Sequence, residues 1–292
     1  MERTRIVFIG GMTDGKVIYD YLNINRHVEV GLVVTYPDGS EKPRHVDFPS
    51  EDKVIKSGTA NGALEAISRY SPDLIFVAGW SELLNKELLD CARNGVIGFH
   101  PSKLPMDRGR SVLAWQIEEG YTETAVSMFY YTDIPDGGDI IAQERISIEE
   151  NDYVNDVLDK VDEACFSLMR AYFPLIRAGK APRRPQHINE GNFRRLRTNR
   201  DSQIDWGRNK EFIFNKIRAI SKPYPAAEAW IGEKKFRIFK AEMVETFPYC
   251  QGVENGSIVA SFHDGTFLVK CRNGFIRVLD FELNESGLQS SS

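Results

Sequence analysis

VIGFHPSKLPMDRGRSVLAW, residues 96–115, is the stretch whose reading decides the fold. Val96, Ile97 and Phe99 make a short apolar run that breaks at His100-Pro101, the pattern of a buried strand delivering an imidazole to its carboxyl end. In open α/β sheets that end is where ligands and reacting groups gather. Near the N-terminus, Arg5-Ile6-Val7-Phe8-Ile9 reads as a strand, GGMTDG (10–15) as a turn, and Val17, Ile18, Tyr21 and Leu22 fall at helical spacing. Residues 28–36 (VEVGLVVTY) and 74–78 supply two further strands. Strands alternating with helices predict a parallel sheet flanked by helices, an α/β domain of Rossmann-like type.

A strand-like run over 125–131 leads into DIPDGGDIIAQ (133–143), where Pro135, Gly137 and Gly138 surround Asp136. Such a turn is sharp and lets backbone approach a ligand closely. A general base at His100 and a carboxylate at Asp136 can meet there. A helix is expected over about 154–178, followed by a polar segment rich in Pro, Gly and Arg. Beyond it lie a helix near 210–221 and short strands near 227–231, 236–241, 256–262, 266–271 and 275–280. With turns at His263-Asp264-Gly265 and Arg272-Asn273-Gly274 they predict a small β-rich, barrel-like domain. The expected division is a catalytic domain over 1–182, a linker over 183–204 and an OB-like domain over 205–286, with a frayed LQSSS end (288–292).

Composition narrows the function. At 292 residues, 42% hydrophobic and 27% charged, the chain matches a globular protein with room for two cores. No apolar run approaches the roughly 18 to 20 residues of a membrane span, and MERTRIVFIGG enters a strand without a signal-peptide layout, so no membrane partner and a cytoplasmic location are expected. The net charge of −5 opposes broad attraction to nucleic acid. Cys91, Cys165, Cys250 and Cys271 are scattered, with no metal-ligand spacing, so buried free thiols and no metal site are expected. GGMTDG is not GxGxxG, and Asp38 lies 28 positions beyond Gly10, so a tight turn is favoured over a dinucleotide site.

FHPSKLPMDRGRSVLAW (99–115) followed by DIPDGGDIIAQ resembles the formyltransferases that use 10-formyltetrahydrofolate, including the 36-position spacing from His100 to Asp136. IDWGRNKEFIFNKIRAISKPYPAAEAWIGEKKFRIFKAEMV (204–244) resembles the second domain of that family, so the likeness spans nearly the whole chain. The resemblance implies His100 as general base and Asp136 as its orienting carboxylate, with no metal needed. It implies folate contacts from Val77, Ala78, Gly79 and Trp80 on one wall and from Ile134, Pro135 and Gly137 on the other.

Arg108-Gly109-Arg110 resembles the nucleotide-sugar members, in which Lys103, Arg108 and Arg110 would serve the acceptor; the transfer-RNA-acting members usually read Arg-Gly-Ala-Ala-Pro. The early loop YPDGSEKPRHVDFPSEDK lacks a dense basic run. Arg194, Arg195, Arg197 and Arg200 form the remaining basic cluster, read as a solvated linker. The expectation is a cytoplasmic transferase moving a formyl group to the amine of a nucleotide-linked amino sugar, as in lipopolysaccharide or O-antigen synthesis, with a homodimer left open. Initiator-tRNA formylation and a weakened folate- or nucleotide-binding relative stay open as alternatives. The departure that motivates the last is Gly98, where the family keeps an Asn that polarises the formyl carbonyl. Ser102 and the Gly98 backbone are candidate substitutes.

Overall fold

The structure is a computed structural model that describes residues 3–48, 51, 53–248, 250 and 252–283. The LQSSS end and the expected boundary at 286 fall outside the described residues. In chain order the elements are β1 (Thr4–Ile9), α1 (Thr13–Asn23), β2 (Val28–Thr35), β3 (Val54–Lys56), α2 (Leu64–Tyr70), β4 (Leu74–Val77), α3 (Lys86–Leu89) and β5 (Val96–His100). There follow β6 (Arg108–Gly109), α4 (Val112–Glu118), β7 (Glu123–Tyr130), β8 (Ile140–Ser147), α5 (Val154–Arg177) and β9 (Phe193–Arg194). The chain continues with α6 (Lys210–Ala219), β10 (Ala227–Ile231), β11 (Lys234–Val244), β12 (Ile258–Ser261), β13 (Phe267–Cys271) and β14 (Gly274–Leu283).

Two compact units emerge. The first comprises Met1–Val112, Glu123–Ser147 and Leu158–Arg195; the second comprises Leu113–Thr122, Ile148–Val157 and Leu196–Ser292. The segment expected as a linker over 183–204 is therefore shared between them. Up to Arg195 it is laid against the first unit, where Arg184 pairs in β-fashion with Ile140 and Phe193–Arg194 pairs with Arg108–Gly109.

The first unit holds a seven-stranded sheet in the order β3-β2-β1-β4-β5-β7-β8. The strands from β3 to β5 run parallel, as the alternating pattern predicts, whereas β7 is antiparallel to both of its neighbours, β5 and β8. Residues 131–139 are too short for a crossover, so β8 must return as a hairpin partner of β7. Buried on both faces, β1 and β4 are nearly all apolar: Ile6, Val7, Phe8, Ile9, Leu74, Ile75, Phe76 and Val77 are at most 1% exposed. The burial of β5 carries His100 to the edge of this sheet, beside the loop 101–107.

The second unit is built on a five-stranded antiparallel sheet, β10-β11-β14-β13-β12, with α6 packed on β11 and β14. Phe236, Phe267 and Phe281 make mutual ring contacts 4.9 to 5.6 Å between centroids on this sheet. Within the same unit the buried Glu118 carboxylate pairs with Lys216 at 3.0 Å and with Arg197. Arg197 is thus an interior ion-pair partner, which corrects its reading as part of a solvated linker. The cysteines are free, but only Cys165 and Cys271 are buried; Cys91 and Cys250 are partly exposed, contrary to the expectation of uniform burial.

Candidate active site

β5 ends at His100 because Pro101 cannot donate to a sheet ladder, so the chain leaves the sheet as soon as the imidazole is placed. The ring is 7% exposed and both of its nitrogens face acceptors. Nε2 lies 2.8 Å from the backbone carbonyl oxygen of Asp107. A carbonyl only accepts, so Nε2 carries the proton in the neutral ring and Nδ1 is left with its lone pair. Nδ1 is 3.8 Å from Asp136 Oδ1, beyond direct hydrogen-bond range. The structure thus brings His100 and Asp136 together, but the group that fixes the tautomer is a backbone carbonyl rather than the carboxylate.

That carbonyl is itself held firmly. Asp107 adopts φ 51°, a left-handed conformation that costs a non-glycine residue energy unless its surroundings enforce it. Its buried carboxylate accepts from Arg194 Nε at 2.6 Å and Asn192 Nδ2 at 2.9 Å, and its amide donates to Asn192 Oδ1 at 2.5 Å. Arg194 is consequently a half-buried clamp residue on a buried carboxylate, another correction to the solvated-linker reading. Neither Asn192 nor the positioning role of Asp107 is legible in the sequence. Both come from a contact between segments 85 residues apart, and no local pattern marks it.

Asp136 is held from two sides. It too has a positive φ, 53°, and its Oδ2 accepts from the Gly109 amide at 2.8 Å. Gln186 Nε2 caps the same turn through the carbonyls of Asp136 (2.9 Å) and Gly138 (2.6 Å). Gly138 is required there, because a Cβ would stand 1.8 Å from the Tyr130 carbonyl oxygen. Ile134 and Pro135 are exposed beside the carboxylate, and Gly137 closes the turn through its amide to the Ile134 carbonyl at 3.0 Å.

The stretch 77–80 is more closely engaged with its own chain than expected. Val77 and Ala78 are buried, and the Ala78 amide donates to the Ile9 carbonyl. Gly79 has φ +60°, and a Cβ on it would meet Asp14 at 2.6 Å and Met12 at 3.0 Å, so the close approach it permits is made by the β1–α1 turn. The Gly79 carbonyl accepts from the Gly11 amide. Trp80 stacks on Tyr36 with ring centroids 4.1 Å apart, yet its buried Nε1 has no hydrogen-bond partner among the described residues.

Of the expected acceptor residues, Lys103 and Arg110 are exposed, while Arg108 is partly buried with an unpartnered Nε. The Ser102 hydroxyl donates to the Met106 carbonyl at 2.7 Å, so its proton is committed to the loop and it does not serve as an oxyanion donor. Gly98 has a steric reason: a Cβ at this position would stand 1.9 Å from Tyr131 Cε2. The space that a side chain at 98 would fill is taken by the Tyr131 ring, and nothing in the local sequence marks that tyrosine. Among the described residues no group of three or more His, Cys, Asp or Glu side chains is arranged to hold a metal ion, and no helix is long and apolar enough to cross a membrane.

Comparison with known proteins agrees with this architecture. HypX from Aquifex aeolicus in complex with tetrahydrofolic acid superposes with a TM-score of 0.70 at 18% identity over 97% of this chain, which spans 45% of the HypX chain. An N-formyltransferase from Helicobacter canadensis, in complex with folinic acid and dTDP-3-aminofucose, gives 0.68 at 16% identity over 96% of this chain and 100% of that one. The methionyl-tRNA formyltransferase from Clostridium thermocellum gives 0.62 at 17% identity over 97% and 99%. At such identities these likenesses establish the fold. The family models for formyl transferase and for its C-terminal domain match residues 4–171 and 197–290, and the chain therefore belongs to the formyl transferase family.

Proposed function

We propose that the protein transfers a formyl group from 10-formyltetrahydrofolate to the primary amine of a nucleotide-linked amino sugar. The observation that carries the chemistry is the environment of His100, whose Nε2–H is tied to the Asp107 carbonyl so that Nδ1 is the nitrogen free to take a proton, 3.8 Å from the Asp136 carboxylate. The folate reading is supported by the exposed Ile134 and Pro135 and by the unpaired Trp80 Nε1, an apolar surface and a free donor suited to a flat ring with polar edges. When bound, the donor supplies an activated formyl carbon and a leaving N10 that ends protonated.

The chain's residues supply the rest. An ammonium has no lone pair, so the acceptor must react as the neutral amine and lose a proton as the new C–N bond forms. His100 Nδ1 takes that proton, and the doubly protonated ring then faces the Asp136 carboxylate and the Asp107 carbonyl. The same proton passes to the departing N10 as the original C–N bond breaks. The Gly109 amide keeps Asp136 in place throughout. Arg108 and Arg110, with Lys103, are the cations proposed for the acceptor's phosphates, and Arg108 still has an unpaired Nε to give.

A panel of nucleotide-linked amino sugars, incubated with protein and 10-formyltetrahydrofolate and read by mass, tests the reading. Tetrahydrofolate release coupled to a formyl mass gain on one member is the expected result. Efficient formylation of initiator tRNA with no formylated sugar would replace the acceptor, and binding without turnover would point to a folate-binding relative instead.

A further inference from the structure

We infer that the hydroxyl of Tyr131 is a catalytic hydrogen-bond donor to the oxygen of the formyl group, standing in the space that Gly98 leaves beside His100. The inference rests on the formyl-transfer reading and adds a residue to it. The geometry begins in the sheet. β5 and β7 pair antiparallel with Gly98 opposite Phe129 and His100 opposite Ser127, and the Tyr131 amide continues the ladder to the Val96 carbonyl at 2.8 Å. Directly opposed residues point to one face, and diagonal neighbours on that face lie within reach of an aromatic side chain. Gly98, His100, Phe129 and Tyr131 therefore share a face, with Tyr131 diagonal to Gly98.

The ring leans along that diagonal. Its Cε2 and Cζ come within 1.9 and 3.1 Å of where a Cβ on Gly98 would be, and it stacks on Phe129 with centroids 5.2 Å apart. Leu104, on the loop leaving His100, packs in the same cluster with Phe129 and Ile140. A rigid phenol is thus held two residues along the strand face from the imidazole. Among the described residues its hydroxyl has no hydrogen-bond partner, although the ring is largely enclosed. Burial, and then the nearby Asp136 carboxylate, push the phenol well above its ordinary pKa, so the group keeps its proton and has it to donate.

Formyl transfer places negative charge on the carbonyl oxygen as the amine adds. A fixed donor aimed at that oxygen stabilises the charged state more than the neutral one and so accelerates addition. The Ser102 hydroxyl is committed to Met106, and a glycine brings no side chain. Tyr131 supplies the polar hydrogen in that neighbourhood while leaving proton transfer to His100.

The test compares wild type with Tyr131→Phe, which keeps the ring and its packing and removes only the hydroxyl. The expected result is a loss of roughly 10²-fold in kcat, the scale of one such donor. KM for donor and acceptor should stay within about threefold, and the pH limbs of kcat/KM should stay where they are in wild type. An unchanged kcat, or a displaced limb, would overturn the assignment. Rescue provides a second check: Tyr131→Ala should lose at least as much kcat as Tyr131→Phe, and adding Gly98→Asn, now free of the clash, should recover at least about tenfold of that loss by restoring a donor. No recovery from a folded double variant counts against the inference. A wild type that releases no tetrahydrofolate with any amine would remove the underlying reading and this proposal with it, whereas an active wild type matched by an equally active Tyr131→Phe removes only the proposal.

Discussion

The turn after β1 and the turn after β5 occupy equivalent places at the carboxyl edge of one sheet, but one is closed by the protein itself and the other keeps reactive groups available. The strand order reverses between β1 and its neighbours β2 and β4, the place where open α/β sheets usually take a ligand. Here it is filled. A Cβ on Gly10 would lie 2.1 Å from the Ala78 carbonyl oxygen, and Gly11 donates to the Gly79 carbonyl. Asp14, partly buried, and the Arg44–Asp162 ion pair at 2.7 Å occupy the space around the start of α1. Burial pushes the Asp14 carboxyl above its usual range, and it raises Asp162 to about 6 against the opposing pull of Arg44. At β5 the components are similar, glycines and positive-φ Asp residues, yet His100 Nδ1 stops 3.8 Å short of Asp136 and the Tyr131 hydroxyl has no partner among the described residues. Unpartnered polar atoms occur beside both turns, Thr35 Oγ1 and Arg44 Nη1 near the first among them, so what sets the β5 turn apart is an imidazole nitrogen and a carboxylate placed side by side.

The largest expected effect breaks the β5 side of this contrast. His100→Asn and Asp136→Asn should each lower kcat by roughly 10²-fold or more while far-UV circular dichroism stays unchanged, the loss that removal of a general base produces. Near-normal turnover in either variant would mean that the reaction does not pass through this pair.

Next in size is the clamp behind the imidazole. Arg194→Ala and Asn192→Ala release the Asp107 carboxylate, and with it the carbonyl that holds His100 Nε2. A fall of about tenfold in kcat is expected from the looser tautomer and ring position, with KM little changed, on the reasoning that small misplacements are costly in rate. Because a merely structural role would lower thermal stability without touching the per-folded-molecule kcat, both are to be measured on the same samples.

Gly98→Ala sharpens the contrast through stability. Its Cβ would collide with the Tyr131 ring, and overpacking of this kind costs about 1–3 kcal/mol, visible as a lowered denaturation midpoint. The combination Gly98→Ala with Tyr131→Leu should recover much of it, since the colliding ring atoms are gone. Persistence of the loss would place the strain elsewhere.

The smallest effect belongs to the β1 side. With the folded-state pKa of Asp162 raised from 3.8 to about 6, the folded protein binds more protons than the unfolded chain between those values. Its contribution to stability therefore falls as pH rises from about 4 to 6 and is lowest above that range. Asp162→Asn should flatten this part of the melting-temperature profile and leave kcat at neutral pH unchanged. A clear fall in kcat would show that the β1 turn takes part in the reaction after all.

Much of this molecule was legible in its residues. The apolar runs at β1, β2, β4 and β5 marked the parallel sheet, since strands buried on both faces have nearly continuous apolar sequences. The break at His100-Pro101 and the Gly-rich turn around Asp136 pointed to the two groups that the structure brings within 3.8 Å. Local patterns state which residues are buried and where the chain turns, so they locate the ends of strands well. They also carried the family resemblance, which the matches over 4–171 and 197–290 sustain.

What the tertiary structure alone decided is which groups spend their hydrogen bonds on one another. Ser102 looked available and is bonded to Met106; Arg194 and Arg197 looked solvated and are partly buried partners of the buried Asp107 and Glu118. Gly79 looked ready for a ligand and instead accommodates Met12 and Asp14. Gly98 looked like a missing group and is the gap that admits Tyr131. Each outcome depends on a partner distant in sequence or on the opposite strand, and hydrogen-bond valence and excluded volume are settled only when those segments meet. Sequence periodicity determined the sheet and the address of the site, and packing between remote segments determined which of its atoms remain free to react.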